Sequence, residues 1–138
     1  MSEYLANKAN NEIVYSELSW RLMSAIFEVH NKIGNKWREQ DFKNALEIIF
    51  KKNNISYERE KLFSLNFEGE KFADCKVDFL IEGKIILEIK KIWKITEQEI
   101  KQVLRYLDAT NLKLAIIANF KYSKIQYKRV VNPKVNIY

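Results

Sequence analysis

The spacing of apolar residues near the start of the chain predicts two consecutive helices. In the first, over residues 17–33, apolar side chains recur every three or four positions, as one face of a helix requires. They are Leu18, Leu22, Ala25, Ile26, Val29 and Ile33. Ser16 is suited to cap this helix and Gly34 to end it. The second helix, over residues 38–52, carries a similar stripe and ends at Asn53-Asn54; the stripe consists of Phe42, Ala45, Leu46, Ile49 and Phe50.

The middle of the chain changes to a pattern typical of strands. Residues 55–67 favour one or two strands, and Glu68-Gly69-Glu70 favours a turn from which residues 71–73 return. Two further strands, 76–81 and 84–90, lie on either side of Glu82-Gly83. The interior of the chain therefore predicts a run of strands between helices.

The last third of the chain predicts one helix and two strands. Thr96 and Glu99 match a capping box, so the third helix begins near Thr96 and ends near Thr110. The nearly continuous apolar run over residues 112–119 is typical of a strand covered on both faces, and residues 125–131 form a final strand. This order predicts an α/β fold with a mixed central β-sheet flanked by helices. We expect one domain over residues 16–138, after a loosely ordered arm of residues 1–15.

The strands on either side of Glu82-Gly83 carry three charged residues that stand out among apolar neighbours. Glu88 and Lys90 are two positions apart on one strand and therefore share a face. Asp78 on the partner strand lies on the same face if the loop has an odd number of residues. A three-residue loop over residues 81–83, with Gly83 in the left-handed conformation, meets this condition. A two-residue loop would place Asp78 on the opposite face unless a bulge corrected it.

Two carboxylates beside a lysine suit a Mg²⁺ site for phosphoester chemistry. Carboxylate oxygens are the hard ligands that Mg²⁺ prefers, and burying them is costly unless they are paired or bound to a metal. A lysine such as Lys90 can orient the attacking water and offset charge on a phosphate. The alternative is an ordinary alternating strand, in which Asp78 forms a salt bridge with Lys90.

Four further residues are candidates to support such a site. Glu39 is aligned with the buried stripe of the second helix, although a glutamate in a first turn is also favoured by the helix dipole. Gln102 and Tyr106 form a stripe on the third helix, where Gln102 could hold a water or a phosphate or could be a boundary residue. His30, the single histidine, borders the apolar face of the first helix, which favours a structural role.

The charge is concentrated toward the end of the chain. The protein carries a net charge of +6, and residues 111–138 contain six basic side chains and no acidic one. Such an end could contact nucleic-acid phosphates, for which the candidates are Lys121, Lys124, Lys128 and Arg129; the alternative is a solvated surface.

Composition excludes several other classes of protein. The single cysteine excludes an intrachain disulfide and a zinc site built on paired cysteines. No apolar run is long enough to cross a membrane, and the first residues lack a secretory pattern, so we expect a cytoplasmic protein without a membrane partner.

Several segments together, in this order, resemble the GxxExxY family, a branch of the PD-(D/E)xK nuclease superfamily. The resemblance spans residues 18–133. Its landmarks are Val29-His30 with Gly34, Glu39 with Ala45-Leu46, Asp78, Glu88-Ile89-Lys90, Gln102 with Tyr106, Ala118-Asn119 and Lys128-Arg129. The chain departs from the naming motif, because Lys36 replaces its glycine and Phe42 its tyrosine, and Val77 replaces the usual proline before Asp78.

The resemblance implies a restriction-endonuclease-like core and a metal-dependent nuclease acting on nucleic acid, with DNA favoured over RNA. It implies that Asp78, Glu88 and Glu39 bind Mg²⁺ or Mn²⁺, that Lys90 positions the water and that Gln102 assists. The superfamily also contains members that only bind, so a module that is catalytically weak or inactive, and that binds nucleic acid or a protein partner, is the alternative. Because so small a chain offers little recognition surface, a homodimer or a partner in a larger complex could supply specificity.

Overall fold

Three helices and five strands make up the computed structural model, which describes residues 14–136. The elements are α1 (Ser16–Ile33), α2 (Glu39–Lys52), β1 (Tyr57–Phe67), β2 (Glu70–Ile81), β3 (Ile85–Lys90), α3 (Glu97–Thr110), β4 (Leu114–Asn119) and β5 (Gln126–Val131). The predicted α/β fold with a mixed central sheet is confirmed. Within residues 14–136, no helix combines the length and apolar character needed to cross a membrane.

The five strands form one sheet in the order β1-β2-β3-β4-β5. β3 and β4 are parallel and are joined through α3, whereas every other neighbouring pair is antiparallel. The carboxyl ends of β3 and β4 therefore meet at one edge of the sheet, where the loops after both strands also begin. In α/β folds such an edge is a common place for a binding site.

Helices cover both faces of the sheet. α1 and α2 pack on one face through a core that includes Leu22, Phe42 and Phe50, and α3 packs on the other through Val103 and Leu107. All six residues of β4 are buried, which confirms the prediction of a strand covered on both faces. The apolar run in the sequence thus reflects two separate cores, one on each side of β4.

The start of α1 differs from the prediction. Ser16 is the first residue of the helix rather than its cap, and Tyr15 precedes it in a left-handed conformation with φ 48°. Val14 is fully buried, and its carbonyl accepts hydrogen bonds from Ser19 Oγ and Arg129 Nη2. Val14 and Tyr15, the last two residues of the predicted arm, therefore pack against the core beneath α1 and α2. Residues 1–13, the rest of that arm, lie outside the described residues.

The capping box at the start of α3 is present as predicted. Thr96 Oγ1 accepts a hydrogen bond from Gln98 N, and Glu99 Oε1 accepts one from Thr96 N at 2.6 Å. We expect Thr96→Ala to lower the free energy of unfolding by about 1 kcal/mol, measured by urea denaturation, because the Gln98 N–H loses its acceptor and Glu99 Oε1 loses the hydrogen bond from the Thr96 hydroxyl. Gln98→Ala removes an exposed side chain in the same turn and is the control; an equal loss in that variant would contradict the capping role.

Candidate active site

The hairpin of β2 and β3 has the odd loop that brings its charged residues together. Ile81 pairs with Ile85, so the loop consists of the three residues 82–84, one position later than predicted. Glu82 and Gly83 both adopt positive φ, at 53° and 67°. The pairing continues to Phe79 and Leu87, and Asp78 and Glu88 follow next on the two strands.

A local twist determines where Asp78 lies. Phe79 packs in the core beneath α1 and α2, whereas Val77, two positions earlier, packs beneath α3. Opposite this point, Glu60 on β1 has a φ of 53°. Strand alternation is thus interrupted at Asp78, where the pairing with β3 also stops. Asp78 Oδ2 accepts a hydrogen bond from Ile89 N at 2.7 Å and so fixes the carboxylate against β3.

Glu88 is a buried carboxylate beside that of Asp78. It lies on the α3 face of β3 and is only 5% exposed. Its Oε1 is buried and has no hydrogen-bond partner among the described residues. Burial, reinforced by the neighbouring charge of Asp78, raises the pKa of Glu88 to about 9. The pair therefore carries an electrostatic cost that a bound cation would relieve.

Lys43, on α2, is a member of this site that the sequence analysis missed. Its side chain is buried, and its Nζ lies 2.8 Å from Asp78 Oδ1 and 3.1 Å from Glu60 Oε1. Burial alone would lower the pKa of Lys43, but the hydrogen bonds and charges of Asp78 and Glu60 raise it above its ordinary value. Lys43 is therefore a fixed cation between two carboxylates, not a base.

Glu39 is the first residue of α2 and contacts the chain directly after β3. Its Oε2 accepts a hydrogen bond from Lys91 N at 2.7 Å, and Lys91 Nζ donates to Trp37 O at 2.6 Å. Among residues 14–136, no three His, Cys, Asp or Glu side chains are grouped so that they could hold one metal ion. Glu39 is thus not grouped with Asp78 and Glu88 as predicted, and its Oε2 is hydrogen-bonded to the backbone next to Lys90.

The structure brings Lys90 and Gln102 together in one cleft. The cleft has a volume of about 590 Å³ and lies between the end of β3 and α3. Its other lining residues are Gln98, Glu99, Lys101 and Arg105. Lys101 and Arg105 are one helical turn apart and were not predicted. The signal that could have revealed them is the polar stripe that they form with Gln98 and Gln102 on a helix whose other face is apolar.

A buried asparagine fixes the loop that leaves the site. Asn119 is opposite Lys90 in the β3–β4 register and is fully buried. Its Oδ1 accepts a hydrogen bond from Ile92 N at 3.0 Å, and its Nδ2 donates to Ile92 O at 2.8 Å and to Gln126 Oε1 at 3.0 Å. Gln126 Oε1 also accepts from Ile95 N. The residues after Lys90 are therefore held in one conformation by side chains of β4 and β5.

His30 and Tyr106 lie outside the cleft. His30 is buried, and its Nε2 donates a hydrogen bond to Tyr122 O at 2.8 Å, which is the structural role that its position favoured. Tyr106 packs in the core beneath α3 and lines a separate cavity that also contains Cys75. Neither side chain is among those that line the cleft with Lys90.

The four predicted phosphate-binding residues lie on β5 and in the loop before it. Lys121 and Lys124 lie in the loop after β4, and Lys128 is exposed on β5. Arg129 differs from them, because its Nη2 donates to Val14 O at 2.8 Å and so anchors the residue before α1. The guanidinium group of Arg129 thus has a structural contact, and its predicted contact with phosphate stays a prediction.

Comparison with known proteins gives the family and the fold. The profile of the PD-(D/E)XK nuclease superfamily matches residues 16–130, and a search of curated proteins finds no match. The crystal structure of SSO0001 is similar with a TM-score of 0.55 and 21% identity, over 68% of this chain. This chain spans 50% of the length of that protein.

A phage-related exonuclease from Haemophilus somnus 129PT is similar over 92% of this chain and 77% of its own length, with 12% identity and a TM-score of 0.38. That score is too low to bear on the fold. The family assignment depends instead on the match over residues 16–130, which contains Asp78, Glu88 and Lys90. The chain belongs to the PD-(D/E)XK nuclease superfamily.

Proposed function

We propose that this protein is a divalent-metal-dependent nuclease that hydrolyses phosphodiester bonds in nucleic acid, with DNA as the preferred substrate. The observation that carries the proposal is the pair of half-buried Asp78 and buried Glu88, in which Glu88 Oε1 has no hydrogen-bond partner among residues 14–136. A buried carboxylate beside a like charge is unfavourable in an isolated protein. The same arrangement is favourable once a cation lies between the two groups.

The donor atoms at this site fit a hard divalent cation. Asp78 and Glu88 would hold Mg²⁺ or Mn²⁺ with carboxylate oxygens, and nucleases of this superfamily generally use divalent metal ions. When bound, the ion would polarise the scissile phosphate and lower the pKa of a bound water. Glu39 would support the site indirectly, because its hydrogen bond to Lys91 N fixes the backbone that follows Lys90.

The chain's own side chains would orient the substrate and the nucleophile. The ammonium group of Lys90 lies on the same face of β3 as Glu88 and lines the cleft. From there it would orient the attacking water and offset charge that develops on the phosphate. Lys101 and Arg105 would hold phosphate oxygens, and the Gln102 amide would hydrogen-bond to water or phosphate.

A second function is supported by Lys43. This lysine already places a positive charge 2.8 Å from Asp78 Oδ1, and the naming motif of the GxxExxY family is altered at Lys36 and Phe42. If the ammonium group of Lys43 takes the place of a metal ion at Asp78, the site could bind nucleic acid without cutting it. Binding by the wild-type protein without cleavage at any divalent-ion concentration would favour this function over the first.

Lys90→Met tests the proposed role of the lysine. We expect single-turnover cleavage of DNA, with Mg²⁺ or Mn²⁺, to slow by about 10²-fold, because the variant loses the group that orients the nucleophile. Single-stranded, duplex and branched DNA and single-stranded RNA should all be tested, since the substrate form decides whether cleavage is observed.

The matched control is Lys84→Met, which removes an exposed lysine from the loop at the opposite end of β3. It should cleave at the wild-type rate. Equal cleavage by the wild type and Lys90→Met would instead show that the activity comes from a contaminating nuclease or does not involve Lys90.

A further inference from the structure

Two loops present an exposed aromatic pair at the edge of the sheet where β3 and β4 end. Trp93, in the loop after β3, is 78% exposed, and its ring centroid lies 6.3 Å from that of Tyr122, in the loop after β4. The two planes are inclined by 42°. Lys121 Nζ lies 5.5 Å from the centroid of the Trp93 ring. We call Trp93, Tyr122 and Lys121 the Trp93 platform.

The backbone beneath the Trp93 platform is held from several directions. The two hydrogen bonds of Asn119 to Ile92 fix the residue before Trp93, and Tyr122 Oη donates to Trp93 O. On the other loop, His30 Nε2 holds Tyr122 O and Asn35 Nδ2 donates to Lys121 O at 2.7 Å. A large apolar ring is thus displayed on an ordered backbone instead of being folded into the core, which favours a contact with a ligand.

The Trp93 platform is close to the proposed catalytic residues. Trp93 follows Lys90 by three residues, so their Cα atoms are separated by at most about 11 Å even if the chain is fully extended. This distance corresponds to about three nucleotides at the rise of a DNA strand. A nucleic acid whose phosphate lay at Lys90 would therefore have a base within reach of Trp93.

All charged residues in the two loops that carry the Trp93 platform are basic. The loops over residues 91–96 and 120–125 contain four lysines and no acidic residue; the lysines are Lys91, Lys94, Lys121 and Lys124. The cleft next to them adds Lys90, Lys101 and Arg105. A phosphate backbone complements such a surface, and a base complements the rings, because every base has a face that can stack on an aromatic side chain.

We propose that the Trp93 platform stacks an unpaired base, so that the substrate of this protein contains a single-stranded segment next to the scissile phosphate. This inference depends on the proposed function for its choice of ligand. In a blunt duplex, each interior base is paired and stacked on both neighbours and is not available to Trp93. Single strands, overhangs and unpaired flaps present such a base without the cost of opening a pair.

The test measures binding separately from cleavage. A 5′-labelled single-stranded oligonucleotide and a blunt duplex of the same sequence are titrated, by fluorescence anisotropy, with the Glu88→Gln protein, which should bind without cutting. We expect Trp93→Ala to weaken single-strand binding by about five- to a hundredfold and duplex binding by less than about twofold. Trp93→Phe should recover most of the single-strand affinity, since it restores an aromatic face.

Trp20→Ala is the matched control, because Trp20 is similarly exposed but lies on α1. It should leave both affinities unchanged. Equal weakening of single strand and duplex by Trp93→Ala would overturn the inference in favour of a general electrostatic contact. Unchanged nucleic-acid binding would overturn it in favour of a protein partner at this surface. If Trp93→Ala selectively weakens single-strand binding but the wild-type protein never cleaves, the inference stands and the nuclease function fails.

Discussion

Glu88→Gln should abolish cleavage and, in the absence of divalent ions, make the protein more stable at pH 7.5. The loss of activity should be at least about 10³-fold, since the amide cannot replace a carboxylate ligand and the ion supplies several kcal/mol of transition-state stabilisation. The gain in stability has a separate origin, because Glu88 is 5% exposed and lies beside Asp78. At this pH the folded protein holds Glu88 protonated, well above the pH at which the free side chain ionises, and a neutral amide of the same shape avoids that cost.

The raised pKa of Glu88 determines how the stability of the protein changes with pH. The pKa of Glu88 is about 9 in the folded protein, against 4.5 for the unperturbed side chain. Between these values the folded state binds more protons than the unfolded state, so stability falls as pH rises through this window. We expect the free energy of unfolding of metal-free wild type to fall between pH 5 and 9. Glu88→Gln should be more stable by up to about 4 kcal/mol at pH 7.5, with little of this difference at pH 4.5.

Urea denaturation at several pH values, with EDTA and then with Mg²⁺, measures both parts of the prediction. Mg²⁺ should stabilise the wild type and leave Glu88→Gln unaffected, because a ligand stabilises only the state that binds it. The control is Glu70→Gln, at the exposed start of β2, which should follow the wild type throughout. Parallel pH profiles for wild type and Glu88→Gln would show that the buried Glu88 side chain does not lower the free energy of unfolding. The argument for a cation site would then fail.

The parts of the fold that could be predicted are those set by local pattern. The stripe of α1, the capping box of α3 and the buried run of β4 each involve residues close in sequence, and each is present. The odd loop of the β2–β3 hairpin is nearly as local, and it brings Asp78 and Glu88 to neighbouring positions just beyond the last paired residues. The position of that loop, one residue later than predicted, and the interruption of strand alternation at Asp78 required the structure.

The parts that could not be predicted depend on contacts between distant residues. Lys43 has an apolar neighbour, Phe42, on an amphipathic helix, and nothing in that pattern indicates that its Nζ reaches Asp78, 35 positions later. The contact of Arg129 with Val14 similarly joins the two ends of the domain. Both basic residues resemble surface charges in sequence, because the patterns of a solvated and a buried lysine or arginine are the same until tertiary packing is known.

The site also shows why strand alternation was not a sufficient guide. Phe79 and Val77 should share a face in a regular strand, yet they pack in different cores. Strand β2 changes its orientation between these two residues, at Asp78, which lies opposite the left-handed Glu60 and directly before the first residue of β2 that pairs with β3. Asp78 therefore reaches Ile89 N and Lys43 together, an arrangement that a flat sheet would not provide.

Lys43→Met should destabilise the metal-free protein and increase its affinity for divalent ions. The ammonium group of Lys43 lies between the carboxylates of Asp78 and Glu60, and its side chain is 10% exposed. Removing one partner of a buried ion pair leaves uncompensated charge and costs about 3 kcal/mol in unfolding free energy. The pKa of Lys43 is raised above 10.5, so this contribution is fully present below that pH, and the loss should be constant between pH 6 and 9.

Lys76→Met is the matched control for stability. Lys76 also faces Glu60, with its Nζ 3.9 Å from Glu60 Oε2, but its side chain is 62% exposed. An ion pair of this kind is screened by solvent, so the variant should lose less than about 0.5 kcal/mol. A similar loss in both variants would mean that the burial of Lys43 has no particular importance.

Calorimetric titration with Mn²⁺ separates the electrostatic role of Lys43 from its packing. An ammonium group so close to Asp78 opposes a divalent ion at the same carboxylate, and its removal should tighten Mn²⁺ binding by at least about tenfold. Mg²⁺ should correspondingly restore the stability lost in Lys43→Met, and the ion concentration for half-maximal cleavage should fall by a similar factor. Weaker or unchanged ion binding in the variant would contradict competition. It would show instead that Lys43 holds Asp78 in the orientation that the ion requires, since removing a group that only opposes the ion cannot weaken its binding.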